Sequence, residues 1–184
     1  MRYMAANVYK IKDYEVKTGG SYFFDNNVWM LLFANIAGAH LDKQRKYSNL
    51  LNDIRNRNCT IFISSLILSE YINRSLRLHF DQWIVAEGRI KSFTDFKKDY
   101  RCTKDYYSSL KTTISEVDDI LQISERRPDD FNSIRIGDIL NNMTTESDFN
   151  DSYYVELCHR NNLILVTDDK DLINTQKNIN IVTY

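Results

Sequence analysis

The chain has 184 residues, of which 43% are hydrophobic and 27% charged, and its formal net charge at pH 7 is -1. This length and composition suffice for one domain with a sizeable core and argue against intrinsic disorder. The near-neutral charge gives no global indication of binding to nucleic acid or to a membrane surface. Five glycines and one proline are too few for the many tight turns of an all-β protein, so we expect long helices with short connections.

The sequence carries no sign of export or of membrane insertion. Its longest apolar run, residues 28–39, is interrupted by Asn35 and is too short to span a bilayer. The first residues lack the sustained apolar segment of a signal peptide. Cys59, Cys102 and Cys158 are odd in number and widely spaced, which predicts three buried thiols in a reducing cytoplasm and no structural zinc site.

The first half of the chain alternates apolar segments with helical patterns. Gly19 and Gly20 form a natural turn before Ser21–Phe24, a segment that is typical of a buried strand. Residues 59–63 are β-branched and aromatic, which indicates a second buried strand. Apolar residues at helical spacing predict three helices around these strands, over residues 28–36, 41–54 and 66–83.

The second half is predicted to be wholly helical over residues 85–145 and then to return to strands. An apolar stripe with steps of three and four supports the central helix; its members are Tyr107, Leu110, Ile114, Val117 and Leu121. The clearest break is at residues 126–130. The remaining predicted elements are helices over 134–143 and 148–160 and strands over 163–166 and 179–182.

This alternation determines the predicted fold class. Strands that are apolar on both faces and alternate with helices are typical of a parallel sheet covered on both sides. We therefore expect a three-layer α/β fold, in which a central parallel sheet lies between layers of helices as in Rossmann-like proteins.

Four acidic residues are expected beyond the carboxyl ends of the predicted strands. Asp25 comes directly after the first strand, and Glu70 lies about a turn and a half beyond the second. Asp151 opens the helix that leads into the strand over 163–166, and Asp169 lies three residues beyond that strand. Because the carboxyl ends of parallel strands meet at one edge of a sheet, these side chains are expected to converge.

Each carboxylate also has a simpler explanation. Asp25 and Asp148 suit helix N-caps, and Asp151 suits the positive end of a helix dipole. The other acids could belong to a solvated helix face or turn: Glu70, Asp168, Asp169 and Asp171. Converging carboxylates repel one another, however, and are tolerated mainly around a cation. Hard oxygen ligands select Mg²⁺ or Mn²⁺, whose usual task in such a site is phosphodiester chemistry.

Four short motifs in this order resemble the PIN domain, a metal-dependent nuclease fold of many toxin–antitoxin toxins and RNA-processing factors. The first is Phe-Asp-Asn-Asn-Val-Trp over residues 24–29, and the second is Ser64 at a strand end followed by Glu70. The third is Asp151 at the start of a helix, and the fourth is Thr-Asp-Asp-Lys-Asp over residues 167–171. The resemblance implies one PIN-like domain over residues 1–184, with a helical insertion at about 76–145.

The resemblance also implies the site and its chemistry. The catalytic residues, which would hold one or two Mg²⁺ or Mn²⁺ ions, would be Asp25, Glu70, Asp151 and Asp169, with Asp148 and Asp171 as further candidates. The metal would activate a water for in-line attack on a phosphodiester and offset the developing charge, leaving a 5′-phosphate and a 3′-hydroxyl. Hydrogen bonds from Asn27 and Thr167 would position the carboxylates.

Single-stranded RNA is the expected substrate by analogy with the family. Residues 74–104 contain eight basic and four acidic residues, and Lys97, Lys98 and Arg101 are the candidates for phosphate contacts. Aromatic residues interleaved with them could stack on bases or belong to an amphipathic helix pair: Phe80, Trp83, Phe93, Phe96 and Tyr100. The resemblance further admits an antitoxin protein as partner and a homodimer.

Three other functions fit parts of the sequence. A haloacid-dehalogenase-type phosphatase needs a second Asp where this chain has Asn27, which cannot protonate a leaving group. A catalytically inactive PIN fold that binds RNA or serves as a scaffold would not need all four acids. A structure-specific 5′ nuclease would carry additional acids and a DNA-gripping helical motif, neither of which we recognise here.

Overall fold

The structure, a computed structural model, describes residues 5–34, 40–143 and 148–184. The strands in these ranges are β1 (Asn7–Lys10), β2 (Ser21–Phe24), β3 (Thr60–Ile63), β4 (Glu125–Arg126), β5 (Ile164–Val166) and β6 (Asn180–Thr183). The α-helices are α1 (Asn26–Phe33), α2 (Leu41–Asn56), α3 (Ser65–Ala86), α4 (Lys104–Gln122), α5 (Ile136–Asn142), α6 (Phe149–Asn161) and α7 (Lys170–Ile173). A 3₁₀ turn (Lys91–Phe93) and a π-helical turn (Phe96–Tyr100) connect α3 to α4.

All the strands of the described ranges pair in parallel within one sheet, in the order β1-β6-β5-β2-β3-β4. β2 and β5 lie at its centre, with Phe24 opposite Val166. Both strands are almost completely buried, as expected of strands that are covered on both faces. The predicted α/β fold, a central parallel sheet flanked by helices, is therefore confirmed.

The main core packs helices against this sheet. Its largest fully buried side chains include Tyr22, Phe23, Trp29, Tyr47 and Tyr154. The rings of Phe23 and Tyr154 lie 5.6 Å apart between centroids, which joins β2 to α6. Burying one such side chain contributes about 1.5–3 kcal/mol to the free energy of folding, so the centre of the sheet is held rigidly.

The strand order creates a topological switch point between β2 and β5. From β2 the chain continues to β3 and β4 on one side, and it later returns to β5 on the other side. In open parallel sheets the crevice outside the carboxyl ends at such a point is where ligands bind. Here the backbone N–H of Asp25 donates to the carbonyl of Val166 at 2.9 Å, so the segments that follow the two strands start side by side.

The prediction of a wholly helical segment over residues 85–145 is wrong in its last third. Glu125–Arg126 forms β4, which pairs with β3 at the edge of the sheet. A two-residue strand shows no periodicity, so the sequence pattern could not reveal it. β1 was not predicted for a related reason, because all of its residues are exposed and no apolar alternation marks them. Residues 35, 36, 144 and 145 of the predicted helices lie outside the described residues.

The prediction of three buried thiols holds for one cysteine. Cys158 is buried, and burial raises the pKa of its thiol. Cys59, directly before β3, is half-buried and packs against the edge of the main core, whereas Cys102, in the turn before α4, is exposed. Within the described ranges, no helix is both long enough and apolar enough to span a membrane.

A second core, separate from the main one, fills the space between α3, the π-helical turn and α4. It consists of Leu76, Phe80, Trp83, Ile84, Phe96 and Tyr100. Four of the aromatic residues considered for base stacking are therefore buried against one another, which argues against that one of the two interpretations. Only Phe93 of that set is exposed, at 85%. The alternative interpretation, an amphipathic helix pair, is the correct one.

Candidate acidic site at the carboxyl end of the sheet

Asp25 and Asp169 are brought together by the two central strands. Because Phe24 lies opposite Val166, the next residues, Asp25 and Thr167, are neighbours. Thr167 Oγ1 donates to Asp25 Oδ2 at 2.9 Å and accepts from the backbone N–H of Asp169 at 3.0 Å. A single buried threonine thus fixes both acidic residues at the switch point.

Asn27, in the first turn of α1, connects Asp169 to α3. Its Nδ2 donates to Asp169 Oδ2 at 3.2 Å, and its Oδ1 accepts from Arg74 Nη1 at 2.8 Å. Arg74 Nη1 also lies 3.7 Å from Glu70 Oε1, one turn earlier in α3. The Arg74 side chain is half exposed, so solvent screens this pair and its contribution to stability is small.

Glu70 reaches the site from α3 and is held by neutral donors. Tyr154 Oη donates to its Oε2 at 2.8 Å, and Asn150 Nδ2 donates to the same oxygen at 3.4 Å. Asn26 Nδ2 donates to Oε1 at 3.1 Å. These donors come from α1 and α6, so Glu70 joins three helices at the edge of the sheet. The interpretation of Glu70 as an ordinary solvated helix residue is therefore wrong.

Asp148 and Asp151 form a capping box at the start of α6. Asp148 Oδ1 accepts from the backbone N–H of Asp151 at 3.0 Å, and Asp151 Oδ2 accepts from the backbone N–H of Asp148 at 3.3 Å. The simpler explanation is thus correct for the local role of both residues. Asp25 differs, because it stands at the N-cap position of α1 but its side chain makes no capping hydrogen bond.

The carboxylates nevertheless act on one another electrostatically. The pKa of Asp25 is raised to about 7, first by burial and then by the charges of Glu70 and Asp169, against the lowering effect of the Thr167 hydrogen bond. The pKa of Asp151 is raised to about 6, first by burial and then by Asp148, with smaller effects of Asp169 and Glu70. The charges of Glu70 and Asp169 therefore act on both Asp25 and Asp151.

The two remaining acids of the closing motif point elsewhere. Asp168 is paired with Lys43 of α2, so its charge is offset outside the site. Asp171 is exposed, and its backbone N–H donates to Asp169 Oδ1 at 3.0 Å. Asp169 thus caps the short helix α7 with one oxygen and faces Asn27 with the other.

The oxygen atoms of these side chains are of the chemical type that binds hard divalent cations. Carboxylate oxygens are the ligands that Mg²⁺ and Mn²⁺ prefer, and the mutual repulsion around buried Asp25 is relieved by a cation. Asn26 Oδ1, a further oxygen in the first turn of α1, is buried and has no hydrogen-bond partner among the residues that the structure describes. In the conformation of the described residues, no three His, Cys, Asp or Glu side chains are grouped to hold a metal.

Sequence reasoning missed the residues that hold Glu70 and Asn27. They are Asn26, Arg74, Asn150 and Tyr154. Two of them carry a signal in their spacing, since Arg74 follows Glu70 by four residues and Tyr154 follows Asp151 by three, which places each pair on one helix face. The contact between α6 and α3, however, is a tertiary contact that the local sequence pattern of neither helix predicts.

Replacing Tyr154 with Phe tests the support of Glu70. We expect the free energy of unfolding to fall by about 1.5–3 kcal/mol, because the lost hydrogen bond has a charged acceptor. Urea denaturation followed by circular dichroism measures it. Tyr153→Phe is the matched control, since Tyr153 is equally buried and donates to the neutral backbone carbonyl of Asp129 at 2.7 Å. An equal or smaller loss for Tyr154→Phe would contradict the role.

The predicted phosphate-binding residues have different surroundings. Lys97 and Lys98 are exposed, and their backbone N–H groups bind Asp95. The Arg101 guanidinium lies 5.4 Å from the centroid of the Phe96 ring, at the rim of the second core. Their role in RNA binding stays a prediction.

The comparisons with known proteins identify a fold. No family model matches the chain, and no curated protein matches it significantly. Among solved structures, a chain of VapBC2 from Rickettsia felis, bound to a DNA fragment from their promoter, is similar. The TM-score is 0.52 at 16% sequence identity, and the match covers 88% of this chain and 98% of that chain. At this identity the likeness concerns the fold alone, so the conclusion is that the chain has an α/β fold with an all-parallel sheet, consistent with a PIN-like fold.

Proposed function

We propose that the protein is a divalent-metal-dependent ribonuclease that hydrolyses single-stranded RNA. The observation that carries the proposal is the position of Asp25, buried at the switch point of a parallel sheet, with a pKa raised to about 7 partly by Glu70 and Asp169. A fold keeps such charge together at a cost in stability, and ligand binding at a switch point is a physical reason to retain it.

In this proposal the residues that hold Mg²⁺ or Mn²⁺ are Asp25, Glu70, Asp151 and Asp169. When bound, the metal supplies an activated water and neutralises charge on the phosphate. Thr167 keeps Asp25 oriented and buried, and Asn27 orients Asp169 through its amide. The product ends are a 5′-phosphate and a 3′-hydroxyl.

The biological setting that we propose is a toxin–antitoxin pair. Its support is the fold shared with a chain of VapBC2, a complex that was solved on promoter DNA. By analogy, an antitoxin protein is the expected partner, and co-purification with the product of a neighbouring small gene tests this expectation.

Cleavage of RNA tests the enzymatic proposal directly. A mixed-sequence single-stranded RNA labelled at either end is incubated with the purified protein in Mg²⁺, in Mn²⁺ and in a chelator. We expect fragments only with metal, with ends that a ligase joins, because a 5′-phosphate and a 3′-hydroxyl are its substrates. Metal-independent fragments, or ends that resist ligation, would contradict the mechanism.

An inactive PIN fold that binds RNA or serves as a scaffold is the second candidate. The observation in its favour is that, among the described residues, the carboxylates are engaged by their own hydrogen bonds and no group of three is arranged for a metal. It predicts RNA or protein binding without cleavage in either metal, and the same assay therefore separates the two candidates.

A further inference from the structure

A cavity of about 340 Å³ lies between α1 and α3, next to the acidic site. We name it the α1–α3 cavity. Its walls are Asn27, Met30 and Leu31 from α1 and Arg74, Arg77 and Leu78 from α3, with Asp81 at its far end. Its volume is at the lower end of the range for small-molecule sites, which is suitable for a single nucleotide rather than for a larger ligand.

Two residues that line the α1–α3 cavity also contact carboxylates of the acidic site. Asn27 lines the cavity and donates to Asp169, and Arg74 lines it and lies beside Glu70. On each wall, a single side chain, Asn27 or Arg74, therefore separates a ligand in the cavity from a carboxylate of the acidic site. An RNA strand with one phosphate at the carboxylates would have its next nucleotide beside this cavity.

Two arginines give the cavity a cationic wall. Arg74 is engaged by Asn27 and Glu70. Arg77 forms no ion pair with a carboxylate of the described residues. The Arg77 guanidinium lies 4.3 Å from the centroid of the Phe96 ring, and this contact holds it without neutralising its charge. An arginine that is held in place and unpaired is well suited to bind a phosphate, because little side-chain entropy remains to be lost.

The cavity also has apolar lining residues on both helices. Met30, Leu31 and Leu78 line it, and Asp81 is offset by Lys91 at 2.7 Å. Apolar side chains beside cations match a nucleotide, which has a flat apolar base and an anionic phosphate. We infer that the α1–α3 cavity binds the nucleotide adjacent to the scissile phosphate of single-stranded RNA, with Arg77 on its phosphate; this inference rests on the proposed function.

Binding without metal tests this subsite separately from catalysis. A short fluorescent single-stranded RNA of mixed sequence is titrated with the protein in a chelator at several salt concentrations. We expect Arg77→Gln to weaken binding roughly five- to tenfold and to reduce the salt slope by about 0.7, the value for one phosphate contact on a single strand.

Arg89→Gln is the matched control. Arg89 also lies over an aromatic ring of the second core, 4.6 Å from the centroid of Trp83, but it does not line the cavity. The two variants lose the same charge and the same kind of contact, and their melting temperatures show whether both are folded. Arg89→Gln is expected to keep the affinity and the salt slope of the wild type.

The outcomes distinguish the subsite from the nuclease. A selective loss with Arg77→Gln supports the subsite even if no RNA is cleaved in any metal. Equal affinities for both variants, equal losses in both, or a wild type that binds no RNA would overturn it. Metal-dependent cleavage with unchanged binding by Arg77→Gln would leave the nuclease standing and remove the subsite.

Discussion

Replacing Asp25 or Asp169 with Asn is expected to abolish metal-dependent cleavage of single-stranded RNA, with a rate loss of at least about a thousandfold. Each change removes a negative charge while keeping the shape of the side chain. A metal contributes several kcal/mol of charge stabilisation to phosphodiester hydrolysis, and weakening its binding forfeits most of that. Gel analysis of end-labelled RNA under single-turnover conditions measures the effect.

Asp168→Asn is the matched control for this prediction. It makes the same chemical change in the same loop, but Asp168 is paired with Lys43 outside the acidic site. We expect nearly wild-type cleavage from it. An inactive Asp168→Asn protein together with an active Asp169→Asn protein would show that the closing motif presents the other carboxylate.

Removing the charge of Asp25 is also expected to stabilise the metal-free protein. Its pKa in the folded state is raised from 3.8 to about 7, mainly by burial. Between these values the folded protein binds more protons than the unfolded chain, so the free energy of unfolding falls as the pH rises. This loss is nearly complete about one pH unit above that raised pKa, and it is on the order of 4 kcal/mol. The free energy of unfolding of Asp25→Asn should not fall in this way as the pH rises.

Manganese is expected to stabilise the wild type much more than Asp25→Asn. At a hundredfold excess over its dissociation constant, a ligand that binds only the folded state contributes about 2.7 kcal/mol. For a domain of this size that is a rise in melting temperature of roughly 5–10 °C. The wild type should therefore gain this stability, whereas Asp25→Asn should gain little.

Thermal melts of both proteins at about pH 7.5 and pH 5, with chelator and with Mn²⁺, test this prediction. Asp and Asn are nearly equal as helix caps, so a purely capping Asp25 predicts no difference between the chelated proteins. A wild-type protein that shows no shift in saturating Mn²⁺ would remove the metal site, and the ribonuclease with it.

The helical support of the acidic site shows why its chemistry was only partly predictable. The order of the acids along the chain was visible because each follows an element with a clear local pattern. The hydrogen bond from Tyr154 to Glu70 joins residues 84 positions apart, and that from Thr167 to Asp25 joins residues 142 apart. The sequence around Tyr154 does not show that its hydroxyl binds a carboxylate, because a tyrosine of the core looks the same in sequence whatever its hydrogen-bond partner is.

The basic segment over residues 74–104 has a sequence pattern that fits two different structures. Interleaved basic and aromatic residues are expected of an RNA-binding surface, and they are equally expected of an amphipathic helix pair with its basic residues on the outside. The structure buries Phe80 and Phe96 in the second core and leaves arginines at its rim. Composition describes which groups are present in a segment, whereas packing decides which of them reach solvent.

The sequence by itself determined the α/β class, the long helices, the buried central strands and the order of the four acids, with Asp25 and Asp169 just after strands and Glu70 and Asp151 on helices. These follow from local hydrophobic periodicity, which directly reflects which faces of an element are buried. Only the tertiary structure decided that β2 and β5 are neighbours, that Glu125–Arg126 joins the sheet, and that Arg74 and Arg77 line a cavity beside the carboxylates. The physical reason is that strand pairing and helix packing join residues far apart in the chain, and their free energy depends on the complementary surface and not on the local pattern of either partner.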